Sequence, residues 1–233
     1  MKTIGLIGGM SWESTIPYYA IINKAVKDRL GGLHSARLIL YSVEFDEIER
    51  CQSSGDWEKS ARILGDAALR LEQAGADLLV ICTNTMHKVA PQIASMIHIP
   101  LVHIADATAD ALEQAQVRRV GLLGTRYTMT QDFYRQKLRD RGLEVMIPDE
   151  ADVALVNDVI FHELCVGTIR AESRAQFQRI VTALKDRGAE GVILGCTEIG
   201  MLIGPDDVCL PVFDTTLIHA QRAAELALAG EDA

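Results

Sequence analysis

The chain has 233 residues, 48% of them hydrophobic and 24% charged, enough to bury a core without disulfide or metal staples. Its 23 Lys plus Arg against 32 Asp plus Glu leave a net charge of -9, which repels a phosphate backbone and excludes nucleic acid as the expected partner. No apolar run approaches the roughly 18 residues of a membrane span, and five widely spaced cysteines without a Cys-x-x-Cys pair fit neither a disulfide framework nor a zinc ribbon.

Met1 to Gly9 carries one positive charge and an apolar stretch too short for a signal-peptide core, so it reads as a first strand and the protein as cytoplasmic. Further strands are expected at Ala36 to Val43, Leu78 to Cys82, Leu101 to His103, Val120 to Gly124, Leu143 to Ile147, Val192 to Leu194 and Val212 to Phe213, after the first at Thr3 to Gly8. Amphipathic stretches fill the gaps, with Trp57 to Ala74 closed by Gly75 and Arg170 to Arg187 closed by Gly188 in the manner of glycine C-caps. Short aliphatic strands alternating with helices predict an α/β fold with parallel sheets.

An internal repeat organises these elements. Gly75-Ala76-Asp77-Leu78-Leu79-Val80-Ile81-Cys82-Thr83-Asn84 aligns without a gap to Gly188-Ala189-Glu190-Gly191-Val192-Ile193-Leu194-Gly195-Cys196-Thr197, at a constant offset of 113 that matches Thr83 to Cys196. Ile4-Gly5-Leu6-Ile7-Gly8 parallels Val120-Gly121-Leu122-Leu123-Gly124, and Ile99-Pro100-Leu101-Val102 parallels Leu210-Pro211-Val212-Phe213. Two pseudo-symmetric, doubly wound parallel-sheet lobes are therefore expected, with the active site between them. The first takes residues 1–102 plus 212–233 and the second 105–208.

In open parallel sheets, ligands bind beyond the carboxyl ends of the strands. The polar residues in that position are Gly8-Gly9-Met10-Ser11, Thr83-Asn84-Thr85, Thr125-Arg126 and Cys196-Thr197-Glu198. They come in symmetric pairs, which suits two proton-transfer groups addressing opposite faces of one planar intermediate.

The strand ending in Gly195-Cys196-Thr197-Glu198, the loop Thr83-Asn84-Thr85-Met86-His87 and the opening Gly8-Gly9-Met10 resemble the aspartate/glutamate racemase superfamily over essentially the whole chain. The likeness is greatest to its bacterial L-aspartate/glutamate-specific and broad-specificity amino-acid racemases. It implies a racemase working without pyridoxal phosphate or any other cofactor on a small-molecule amino acid, as a homodimer. The family's usual first-half motif is Cys-Asn-Thr-x-His; here Thr83 stands in the cysteine's place, and Cys82, one residue earlier, is matched to Gly195. Strand side chains alternate, so a shift of one residue aims the Cys82 sulfur away from the cleft.

The expected catalytic pair is thus Cys196 and Thr83. Abstracting a weakly acidic α-proton without an electron sink needs a strong base in a desolvated site, and a thiol lowered by helix N-termini and nearby donors would supply it. Thr83 is the weaker partner, because an alcohol is a poor base. The family's second-half thiol serves the L face, which implies a preference for L substrates. Asn84, Thr85 and Thr197, with backbone N–H groups at the helix starts, and Thr125 are expected to receive the substrate. The resemblance adds Met10 and Gln52 to the pocket, Gln52 reading alternatively as a solvated helix residue.

Glu198 either balances the substrate ammonium or caps its helix, His87 braces the loop, and His98 and His103 suggest no metal site. Family members acting on acidic substrates hold the side-chain carboxylate with an arginine and a lysine, where this chain has Ile48 and Cys165. Arg50, Arg126 or Lys88 could substitute from another direction. Aspartate and glutamate are the first expectation, a broader range the second. A decarboxylase or cis-trans isomerase of the same superfamily using Cys196 alone, and a non-catalytic amino-acid binding protein, are the competing readings.

Overall fold

A computed structural model describes residues 1–230, so 231–233 of the expected first lobe lie outside the described residues. The chain divides into two compact units, Met1–Ile104 with His219–Ala233, and Ala105–Ile218.

In the first unit, strands β1 (Ile4–Gly8), β2 (Leu38–Ser42), β3 (Leu78–Ile81) and β4 (Leu101–Val102) form a four-stranded parallel sheet in the order β2-β1-β3-β4. Helices α1 (Trp12–Leu30), α2 (Phe45–Ser54), α3 (Trp57–Gln73) and the short α4 (Ala90–Ala94) link the strands. Asp56 starts α3 by accepting from the Lys59 N–H at 3.0 Å, and Gly75 just past its end takes the φ of +94° that a side chain would resist.

Strand alternation then sorts the core. Ile7, Leu79 and Ile81 pack with Leu64, Ala68 and Leu71 of α3 and Ile93 of α4. Ile4, Leu6, Leu78, Val80 and Cys82 face the other way, against Tyr18, Ile22 and Val26 of α1 and Ala220, Ala223 and Ala224 of the C-terminal helix.

The second unit repeats the arrangement. β5 (Arg119–Gly124), β6 (Glu144–Met146), β7 (Gly191–Gly195) and β8 (Val212–Asp214) form a four-stranded parallel sheet in the order β6-β5-β7-β8. The linking helices are α5 (Ile104–Gln114), α6 (Arg126–Thr130), α7 (Asp132–Asp140), α8 (Glu150–His162) and α9 (Ala171–Asp186), and α10 (Thr215–Leu228) follows β8. The repeat extends to register. Ile7 pairs with Ile81 and Leu79 with Leu101 in the first sheet; Leu123 pairs with Leu194 and Val192 with Val212 in the second.

One boundary differs from the sequence expectation. Residues 212–218 belong with the second unit rather than the first, because β8 completes the second sheet beside β7 and Asp214 caps α10 through the Thr216 N–H at 2.8 Å. The crossing between units falls inside α10, at His219, where sequence punctuation gives no mark.

Backbone closeness fixes the end of the second sheet. A Cβ on Gly195 would lie 2.9 Å from the Leu123 carbonyl oxygen and 2.8 Å from Leu122 Cδ1, so only glycine lets β5 and β7 meet there. Gly195→Ala is expected to cost about 1–3 kcal/mol through overpacking against backbone that cannot give way. Urea unfolding checks it; an unchanged midpoint would mean that the strand ends tolerate separation.

Candidate active site

The first loop begins where β3 ends. Cys82 donates its N–H to the Ile7 carbonyl at 2.9 Å, and its fully buried side chain lies in the apolar cluster with Tyr18 and Val80. Burial alone pushes that thiol far above its ordinary range, the environment of a cysteine packed in a core. The next residue, Thr83, has its backbone tied on both sides: its N–H donates to Ile81 at 2.9 Å, and its carbonyl accepts from His87 Nδ1 at 2.8 Å. Among the described residues the Thr83 hydroxyl makes no hydrogen bond.

His87 is almost fully buried and satisfied at both nitrogens. Nδ1–H donates to Thr83, and Nε2 accepts from the Ile104 N–H at 3.2 Å, which defines a neutral tautomer. His219 of α10 sits 5.6 Å away, ring to ring, its Nε2–H donating to the Val102 carbonyl at 2.8 Å while Nδ1 accepts from the Tyr18 hydroxyl at 2.9 Å. Desolvation keeps both rings neutral, lowering His87 and pushing His219 down to about 4. The loop is thus braced by His87 as expected. Tyr18 and His219 are additions that spacing could not reveal, because 201 residues separate them.

Met10 belongs to the cluster that holds Ile7 and Met86, and Gln52 donates to the Met86 sulfur at 3.1 Å. Gln52 is therefore buried rather than a solvated helix residue. Gly9, before Met10, has a φ of +89°, and a Cβ there would stand 2.3 Å from the Val43 carbonyl. Asn84 and Thr85 are buried and lead into a 3-10 turn, Thr85–Val89.

The second loop begins where β7 ends, and it is chemically different. The Cys196 thiol, almost wholly buried, donates to Glu198 Oε2 at 2.8 Å, and the Thr197 hydroxyl donates to the same oxygen at 3.0 Å. This corrects two expectations. Glu198 makes no side-chain cap, since the segment that follows is only a three-residue 3-10 turn, Ile199–Met201. Nor is the thiol lowered: burial, then the Glu198 charge, then Cys165 raise it well above its ordinary value, outweighing the Glu198 backbone N–H that faces the sulfur. The second loop runs into a three-residue 3-10 turn rather than a helix, so the expected field of a helix start is missing behind it, whereas the first runs through a 3-10 turn directly into α4. Thr125 is the N-cap of α6, accepting from the Thr128 N–H at 3.3 Å.

The positions expected to hold a side-chain carboxylate are apolar or thiol. Ile48 is fully buried in the first core, and Cys165 lies on the 3-10 turn Leu164–Val166. Each alternative cation is already engaged: Arg50 with Asp46 at 2.6 Å, Arg126 with Glu150 at 2.6 Å, and Lys88 over the Trp57 ring at 3.8 Å. His98 is exposed beside Glu72, and the His103 ring lies 4.6 Å from that of His87. Among the described residues no His, Cys, Asp or Glu group has a metal-holding arrangement, and no helix is long and apolar enough to cross a membrane.

The family description Asp/Glu/Hydantoin racemase matches residues 7–223. The chain is 55% identical to the crystal structure of a proposed Asp/Glu racemase from Yersinia pestis, covering 98% of this chain and 100% of that one, with a TM-score of 0.91. It is 39% identical to an aspartate racemase homologue from Pyrococcus horikoshii OT3, over 97% and 99% of the two chains, with a TM-score of 0.84. It is also 25% identical to the broad specificity amino-acid racemase RacX of Bacillus subtilis strain 168, over 97% and 98% of the two chains.

The buried neutral histidines set a pH dependence. From the ordinary value of 6.5 down to about 4, the unfolded chain binds a proton at residue 219 that the folded chain refuses, so stability is complete above that window and is lost as pH falls through it. For His219 the loss is on the order of 3 kcal/mol. Urea midpoints followed from pH 7 to 4 are expected to fall more steeply for the parent than for His219→Gln; equal slopes would show that this ring is not held neutral.

Proposed function

The chain belongs to the Asp/Glu/hydantoin racemase family, and from that premise we propose that it is a cofactor-independent amino-acid racemase whose proton-transfer groups are Cys196 and Thr83. The observation that supports this pair most is that Thr83 and Cys196 follow equivalent strands of two sheets with the same strand order and register. Inversion by this route requires the two side chains to meet opposite faces of one α-carbon. Cys196 takes the α-proton from the L enantiomer, and the Thr83 hydroxyl delivers a proton to the other face, its own being replaced from water.

Asn84, Thr85, Thr197 and Thr125 are the groups proposed to hold the α-carboxylate, which every amino acid shares; charge drawn there lowers the cost of the carbanion. Met10 and Gln52 are proposed to border the substrate. Aspartate and glutamate head the substrate range, and the burial of Ile48 together with the engaged cations supports extending it to amino acids without a side-chain charge. We carry forward a cytoplasmic homodimer on the same premise. Trp12, Ile16 and Tyr19, exposed along one face of α1, are apolar surface that a second copy would cover.

A second reading draws on the raised thiol. A cysteine kept protonated is suited to protonating a carbanion left by decarboxylation, which needs no partner on the other face.

Wash-in of α-deuterium from heavy water, screened over L and D amino acids, separates these. Because an alcohol without a hydrogen-bonded base is the slower partner, L substrate is expected to gain deuterium with retention faster than D product forms. Thr83→Ala should keep that exchange and abolish inversion, Thr83→Cys should bring inversion up toward the exchange rate, and Cys196→Ala should lose exchange from L by roughly 10²–10⁴-fold. Absence of exchange into any amino acid would sink the racemase reading and leave the decarboxylase or a simple binding protein.

A further inference from the structure

Cys196 cannot serve as a free thiolate at low cost. Its sulfur and Glu198 Oε2 are 2.8 Å apart and both residues are buried, so ionising the thiol beside an ionised carboxylate would set two negative charges in contact, away from water. The geometry offers a way round this. The Sγ–H already points at Oε2, the Thr197 hydroxyl holds the same oxygen at 3.0 Å, and the Glu198 backbone N–H faces the sulfur.

We infer that Glu198 is the proton partner of Cys196, a positioning residue that accepts the sulfur's proton as the sulfur accepts the substrate's α-proton. This rests on the racemase reading and gives Glu198 a role other than binding substrate. In the step, the Cα–H bond breaks and leaves its electron pair on carbon. The proton bonds to sulfur while the S–H proton passes to Oε2. Sulfur is neutral before and after, and the single negative charge moves from the carboxylate to the carbanion, so two charges never meet in the loop. Reversal reprotonates carbon on the same face.

Thr83 shows what this arrangement adds. It occupies the matching position in the first sheet, yet the residue two places on is Thr85, and among the described residues no carboxylate accepts from its hydroxyl.

The test uses two independent readouts in a Cys209→Ser background, which removes the exposed thiol. The first is the pH dependence of iodoacetamide alkylation at Cys196, followed by peptide mass spectrometry. The groups facing this sulfur that shape its titration are Glu198 and Cys165. Glu198→Gln removes the neighbouring charge, so the alkylation midpoint is expected to move down by about one pH unit or more. The second is turnover: despite its more acidic thiol, Glu198→Gln should lose kcat by about 100-fold or more with KM changed little, because the displaced proton has no acceptor. Glu198→Asp should recover part of that loss.

A Glu198 that acted only through its charge would leave the more acidic thiol no slower, and one that acted only through packing would be replaced by the isosteric Gln without loss. An unmoved or raised midpoint, or kcat within about threefold of the parent, overturns the inference. If the midpoint falls but the parent exchanges no α-proton in any amino acid, the coupling of the pair stands and the racemase reading fails.

Discussion

Parallel register decides where every polar residue of the candidate site lies. With Ile7 set against Ile81 and Leu123 against Leu194, the two sheets share a register, although the second pairs one residue further at Gly124 and Gly195, and the first side chains beyond the apolar layers are those of Thr83 and Cys196. A slip of one residue would exchange the faces of the whole strand, driving Leu79 and Ile81 out of the cluster they share with Leu64 and Leu71. The packing of four aliphatic residues thus holds a hydroxyl in position and keeps the Cys82 thiol out of it. Gly195 adds a second lock, since nothing larger lets β7 approach Leu123 at the last pair.

Equivalent backbone positions do not give equivalent chemistry. In the second loop, a carboxylate 2.8 Å from a thiol gives the proton a route and makes a lasting thiolate costly. In the first, the nearest investment is in rigidity: His87 holds the Thr83 carbonyl, and the Tyr18–His219 pair holds the strand end next to Ile104, on which His87 leans. Apart from the Tyr18–His219 hydrogen bond itself, that bonding goes to backbone, so it fixes where the hydroxyl stands without making it a better acid or base. In the proposed mechanism this inequality makes one face of the substrate the quick one.

Much of the fold was legible because it is written twice. The gapless match of residues 75–84 to 188–197 located two strands and their loops, and the same match ranked Thr83 above Cys82 before any packing was visible. Cys82 itself lies buried with Tyr18 and Val80. What could not be read depends on side-chain direction or on distant chain. That Glu198 turns back to the sulfur instead of capping a helix follows from a rotamer and from a turn that stops after three residues. The direction of the thiol shift follows first from burial of the sulfur and then from the Glu198 charge beside it, neither of which spacing along the chain reveals. Val212–Asp214 was assigned to the wrong unit because α10 runs from one unit into the other without a glycine or proline to mark the passage.

Substrate range is the property least constrained by these features, and there is a physical reason. The chemistry proposed for Cys196 and Thr83 acts on the α-carbon and draws stabilisation from the α-carboxylate, both common to all amino acids, so the residues that carry the reaction hold no information about the side chain. That information would lie in a charge placed to meet it. Ile48 offers none, and Arg50, Arg126 and Lys88 spend their charge on Asp46, Glu150 and an indole face. Surface ion pairs of this kind are worth only about 0–1 kcal/mol, so a substrate carboxylate could compete for such a cation at little cost, whereas nothing could recruit Ile48. Discrimination among substrates in the proposed enzyme would then be modest, set by the shape of its pocket more than by a dedicated clamp.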